Sequence, residues 1–192
     1  MRRCGVVVVF LCVVGGMAFA QETDGAMEAL MGPGDFGIYA GVGWGFFWGA
    51  VDVSGGVEVI FHQIDLGEKV PLTFGGAARV SYYGWTDDYL GDDYHYAYLG
   101  GGVFATAHLG FTEESAPENV KFLANTDWYV GLGPQFTSYS WGWTGEQDHE
   151  FRIGIGTLAG VSYFLTPNFA INLEGGYYGW YGSGLIGVLI KF

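Results

Sequence analysis

The chain has 192 residues, of which 14% are charged and 18% aromatic, with 35 glycines and a formal net charge of −13. So apolar a composition is unusual for a soluble domain, and so acidic a balance argues against nucleic acid as a partner, because phosphates demand basic side chains. The length suits one domain.

In chain order, Arg2 and Arg3 precede the apolar run Gly5–Val14, and small residues lead to Ala18-Phe19-Ala20. These are the parts of a secretory signal peptide, expected over residues 1–20 with cleavage after Ala20. The apolar run is too short for a spanning helix, which needs ~20 residues. Both cysteines, Cys4 and Cys12, sit in this leader, and Phe10-Leu11 before Cys12 lacks the small residues of a lipidation site. The remaining chain therefore has no thiol for disulfide, metal or nucleophilic chemistry. Loss of Arg2 and Arg3 takes the net charge from −13 to −15. Residues 21–34 are expected as an N-terminal periplasmic segment, a short helix or without structure, followed by a barrel over 35–192.

Period-two alternation then marks strand after strand. The first, Phe36–Phe47, sets Ile38, Ala40, Val42, Trp44 and Phe46 against Tyr39 and three glycines. The second, Val57–Gln63, sets Val57, Val59 and Phe61 against Glu58, Ile60 and His62. The third is Leu72–Trp85 and the fourth Tyr94–Phe111, with TDDYLGDD between them read as a loop. The fifth, Asp127–Trp141, turns Trp128, Val130, Leu132 and Phe136 outward; Pro134 within it implies a bulge or an edge. The sixth is Phe151–Leu165, and Thr166-Pro167-Asn168 turns into the seventh, Phe169–Trp180. LIGVLIKF closes the chain. All of these segments are read from the sequence.

In that last segment Ile186, Val188, Ile190 and Phe192 share a face. The ending resembles the C-terminal strand of bacterial outer-membrane β-barrels, in which the barrel assembly machinery recognises a terminal aromatic preceded by apolar residues at every second position. The fold class expected is all-β: a transmembrane antiparallel up-and-down barrel of about eight strands. A soluble sandwich would need a well-charged second face, whereas the inward positions here are mostly Gly, Ser, Thr and Tyr. With both termini periplasmic, the outer loops are expected at Gly49–Gly56, Thr86–Asp93, Gly142–Glu150 and Tyr181–Gly184. Aromatics at the strand ends, among them Tyr82, Trp85, Tyr94, Tyr96, Tyr139, Trp141, Tyr177 and Trp180, are expected as a girdle at the outer rim.

Alternation places the charges Glu58, Arg79, Arg152, Glu174 and Lys191 in the lumen, where a charge must be paired or hydrated. Glu58 and Arg152 are expected near the outer mouth, Arg79 and Glu174 deeper. The set resembles the polar lumens of small barrels of the OmpA and OmpX type, and that resemblance implies architecture, not catalysis. Gly-x-Gly runs are read as room for neighbouring side chains, since no helix follows to receive a phosphate. His62 and His108 are expected as hydrogen-bonding lumen residues. Asp87, Asp88, Asp92, Asp93 and His95 form an acidic loop read as hydrated, without the spacing of a calcium loop.

The function expected is structural or surface-interactive, in a bacterial outer membrane, with outer-membrane lipids and the assembly machinery as partners. No enzymatic activity, cofactor, metal or nucleic acid is expected, and the chain is read as monomeric. The rival is OmpW-like transport of small hydrophobic compounds, for which Tyr83, Tyr96, Tyr98, Tyr139 and Tyr178 would line a vestibule. A lipid A-modifying barrel enzyme would use His95 or His149, but neither stands in a His-x-Ser pattern.

Overall fold

The computed structural model describes residues 28–44, 51–66, 70–89, 92–113, 116, 118–177 and 182–192. Eight strands run up and down: β1 Phe36–Trp44, β2 Val51–Leu66, β3 Val70–Tyr89, β4 Asp92–Phe111, β5 Thr126–Trp143, β6 Glu146–Thr166, β7 Phe169–Tyr177 and β8 Gly182–Lys191. Each pairs antiparallel with the next, and β1 pairs with β8 from Gly37–Lys191 to Trp44–Gly184, closing the ring. Closure removes the free edges that an open sheet would expose.

The alternation in the sequence becomes the two faces of the wall. Val130, Leu132, Ile153, Ile155, Leu173 and Ile186 point outward and are exposed, whereas Tyr39, Glu58, Arg79, Phe104, Tyr129 and Glu174 point inward and are buried. Exposed apolar side chains all round a closed barrel are what a hydrocarbon solvent requires.

The strands differ greatly in length. β3 and β4 have 20 residues each and β6 has 21, while β1 and β7 have 9. About 9–11 residues cross a bilayer, so β3 to β6 rise beyond the others as a tall wall. Three expected loops are thereby overturned, and of the fourth, Tyr181–Gly184, residues Gly182–Gly184 already belong to β8. TDDYLGDD is mostly strand, with Asp87 paired to Tyr94 and Asp88 to Asp93. Val51–Gly56 belongs to β2, and the 142–150 stretch pairs tightly across Thr144-Gly145, from Trp143–Glu146 onward. Gly145 has φ 99°, a conformation that glycine adopts freely. Acidic residues do not mark loops here, because on a strand above the lipid charge is simply solvated.

Pro134 is accommodated by a local gap. The β4–β5 pairing is continuous to Gly102–Gln135 and resumes in the same register at Ala105–Leu132. Pro134 still faces Ile155 of β6 in register, so the missing N–H falls on the β4 side. A second irregularity lies in β2, where the register with β3 shifts between Ile60 and His62. Ile60 is buried, but His62 is exposed and stacks on Phe74 of the outer surface, with ring centroids 6.3 Å apart. The expectation of a lumen His62 is thus corrected: a bulge adds one residue and flips the face.

The segment before β1 enters the barrel end that holds Phe36 and Phe192, here called the lower end. Met31 is buried with Ile60, Phe164, Ala170 and Leu189, with Leu30 packed against them. Lys191 Nζ donates to Leu30 O at 2.8 Å and lies 3.2 Å from Asp35 Oδ2. Residues 28–35 therefore form a tethered stopper rather than a helix; residues 1–27 lie outside the described residues.

Candidate functional site

Mid-barrel, three inward charges meet. Arg79 of β3 places Nη2 3.1 Å from Glu58 Oε2 on the neighbouring β2, and Nε 3.1 Å from Glu174 Oε2 on β7, across the lumen. Its Nη1 donates to Val57 O at 3.0 Å, and the guanidinium lies over the Tyr39 ring, 5.0 Å from its centroid. Gly56 is the residue opposite Arg79, and a Cβ there would run into the arginine side chain. The glycine makes room for the fork.

The network continues on both sides. His108 Nε2 is 2.9 Å from Glu58 Oε1, and its Nδ1 is 2.8 Å from Asp127 Oδ2. A ring carrying both protons donates to both carboxylates. On the other side Tyr129 donates to Glu174 Oε2 at 2.7 Å, and Asn172 Nδ2 donates to Tyr129 Oη and to Ser162 Oγ, both at 2.8 Å. His108 and Tyr129 also stack, 5.4 Å between centroids. Three carboxylates, one guanidinium and one imidazole thus share a continuous buried set. Breaking one such pair costs ~3–5 kcal/mol, because the partner is left charged and dry.

Of the five expected lumen charges, Glu58, Arg79 and Glu174 are brought together. Arg152 and Lys191 are not. Arg152 sits high on β6, paired with Glu150 at 2.6 Å and half exposed, and Lys191 ties the lower stopper. Glu58 lies mid-barrel rather than at the mouth, because β2 begins six residues earlier than alternation alone suggested. Asp127 was missed as a member, although its parity with Tyr129 on β5 carried the signal.

Above the network the inner face turns aromatic. Tyr83 stacks on Tyr98 at 5.0 Å and on Tyr96 at 5.6 Å, and Tyr98 meets Tyr139 at 5.3 Å. Trp85 stacks on Tyr96 at 6.1 Å, and Tyr94 meets Trp143 edge-on at 5.1 Å. Tyr83, Tyr96, Tyr98 and Tyr139 therefore form one ladder up the tall wall, while Tyr178 lies outside the described residues. The expected girdle is corrected accordingly. Tyr82 and Tyr177 are exposed on the outer surface, but Trp85, Tyr94, Tyr96, Tyr139 and Trp141 share the parity of the inner face. Trp180 lies outside the described residues.

At the terminal strand, Ile186, Val188, Ile190 and Phe192 are all on the lipid side, each at least 36% exposed. His95 Nδ1 is 2.9 Å from Thr86 Oγ1, and Nε2 is 3.4 Å from Thr144 Oγ1. Among the described residues no group of three or more His, Cys, Asp or Glu is placed to hold a metal ion.

No family model matches the chain, and no curated protein does. Solved structures do. The attachment invasion locus protein Ail of Yersinia pestis is 13% identical, with 82% of this chain and 95% of that chain covered and a TM-score of 0.50. Its complex with the heparin analogue sucrose octasulfate is 14% identical over the same shares, again with a TM-score of 0.50. The N-terminal β-barrel domain of Pseudomonas aeruginosa OprF is 19% identical, covering 83% and 98%, with a TM-score of 0.49. The fold is that of the small eight-stranded barrels of bacterial outer membranes.

Proposed function

We propose that this chain is an outer-membrane barrel with a structural or surface-interaction role, not an enzyme, whose lumen is shut by its own side chains. The observation that carries the reading is the Arg79 set: a guanidinium held by Glu58 of the neighbouring strand and by Glu174 from across the lumen, with side chains 2% exposed or less. An eight-stranded barrel is just wide enough for side chains to fill it, and here the filling is cross-linked by charge. The Met31 stopper closes the lower end a second time. OmpW-like lateral transport needs a breach between strands, whereas every neighbouring pair in the described ring is hydrogen-bonded. A lipid A-modifying enzyme needs a serine activated by histidine; the partners of His95 are threonines.

The test is reconstitution in planar bilayers together with membrane fractionation. The protein is expected to fractionate with outer membranes, to shift on gels when heated, and to give no sustained conductance. A stable open channel, or a soluble protein, overturns the reading.

A further inference from the structure

Between the Arg79 set and the tyrosine ladder lies a buried carboxylate that is only half matched among the described residues. Asp52 is 3% exposed, and among the described residues its Oδ1 has no hydrogen-bond partner, while its Oδ2 accepts a long bond from Ser81 Oγ, 3.4 Å. Tyr39 Oη, directed over Gly41, and Gln135 Oε1 are likewise buried without partners among the described residues, as are Asp127 Oδ1 and Asn172 Oδ1 in the set below. Each of these atoms can accept a hydrogen bond. An unmatched buried acceptor costs ~1–3 kcal/mol, so Asp52, the carboxylate among them above the Arg79 set, calls for a donor.

Just above, the wall is chemically suited to a cation. Asp52 is one residue beyond the Val53–Tyr82 pair, beside Tyr83 and below the Tyr98–Tyr139 contact. Tyr98 directs its hydroxyl over Gly100, the residue paired with Ser81. Higher still, the guanidinium of Arg152 lies over the Tyr139 ring, 6.0 Å from the centroid, with Glu150 at its Nε. The protein's own side chain thus shows what the wall accepts: a positive charge on a ring face, with a carboxylate behind it.

We propose that the inner face above the Arg79 set binds linear aliphatic polyamines. One ammonium donates to Asp52 at the foot, the methylene stem lies along the Tyr98 and Tyr139 rings, and a further ammonium reaches Glu150 at the top. An ammonium offers N–H donors to an acceptor set, and the alkyl stem suits ring faces, which a hydrated metal ion does not. The net charge of −13 draws such cations from solution. The site is blind, since the Arg79 set floors it, so it serves capture rather than passage.

The experiment titrates spermidine into the full barrel in nanodiscs, read by calorimetry and tryptophan fluorescence, beside 1,8-octanediol and magnesium chloride at matched ionic strength. Saturable spermidine binding is expected, with no binding of the diol and no displacement by magnesium. Asp52→Asn is expected to weaken spermidine about tenfold or more, as loss of a charge-assisted bond does, and Glu150→Gln less. Unchanged affinity in Asp52→Asn, equal binding of the diol, or full displacement by magnesium overturns the proposal. If Asp52→Asn yields no folded barrel, the wild-type comparison of amine, diol and magnesium decides alone. A sealed, membrane-inserted barrel that ignores spermidine refutes this inference and leaves the sealed-barrel reading standing.

Discussion

The lower and upper halves of this barrel obey opposite rules. Below Arg79 the buried charges are matched at 2.8–3.1 Å by partners on other strands, and apolar residues of the N-terminal segment fill what remains. Above it the strands outgrow the membrane, the inner face is aromatic, and Asp52 Oδ1 has no partner. Buried acceptors without a partner among the described residues occur in both halves, Asp127 Oδ1 and Asn172 Oδ1 below and Asp52 Oδ1 above, so it is the filling, ion pairs below and rings above, that distinguishes them. The ion pairs below couple strands across the lumen, whereas the rings above couple neighbouring strands along one wall.

The comparison breaks first at Arg79. Arg79→Ala removes the guanidinium that Glu58 and Glu174 share, leaving His108 as the cation beside Glu58, and is expected to lower the unfolding free energy in lipid vesicles by ~3–5 kcal/mol. Adding Glu174→Ala should restore part of that loss, because one uncompensated carboxylate goes with it. Strict additivity in urea titrations would show that the two residues do not act as a pair.

The outer surface offers the next probe. Leu132 is 59% exposed, in the apolar band of β5. Leu132→Arg is expected to cost ~2–4 kcal/mol in a bilayer, the range for a cation near the midplane. A negligible cost in vesicles would mean that this face does not meet lipid.

Much of this could be read before any coordinates. Alternation fixes which face each residue takes, and so it found the eight strands and the inward parity of Glu58, Arg79 and Glu174. It says nothing about height along the axis, which depends on register, and so Arg152 and Glu58 were wrongly set at one level. Strand ends were misread for a different reason. Turn composition marks where a strand leaves the lipid, not where pairing stops, and β3–β4 pairing runs on to Tyr89–Asp92. His62 eluded the pattern because one bulge residue reverses parity, and the Met31 stopper because two apolar residues in an irregular segment carry no period.

That stopper gives a smaller effect. Met31 is 1% exposed among four buried neighbours, and Met31→Ala is expected to cost ~2 kcal/mol, at the low end for truncation of a buried methionine because an irregular segment can settle into the space. Thermal unfolding in detergent would register it. An unchanged midpoint would show that the lower end is closed by the strands alone.

The smallest effect expected is also the one that draws the boundary between the halves. Ser138 lies on β5 six residues above Leu132 and on the same outward face, two beyond Phe136, the last large apolar residue of that face. If the tall wall stands in water, Ser138→Arg places its charge in solvent and changes the unfolding free energy by no more than about 0.5 kcal/mol. The same substitution at 132 and 138, measured in the same vesicles, then brackets the membrane edge within six residues of one strand. A cost at 138 matching that at 132 would put the wall inside the bilayer, and the upper inner face could no longer meet partners from the aqueous side.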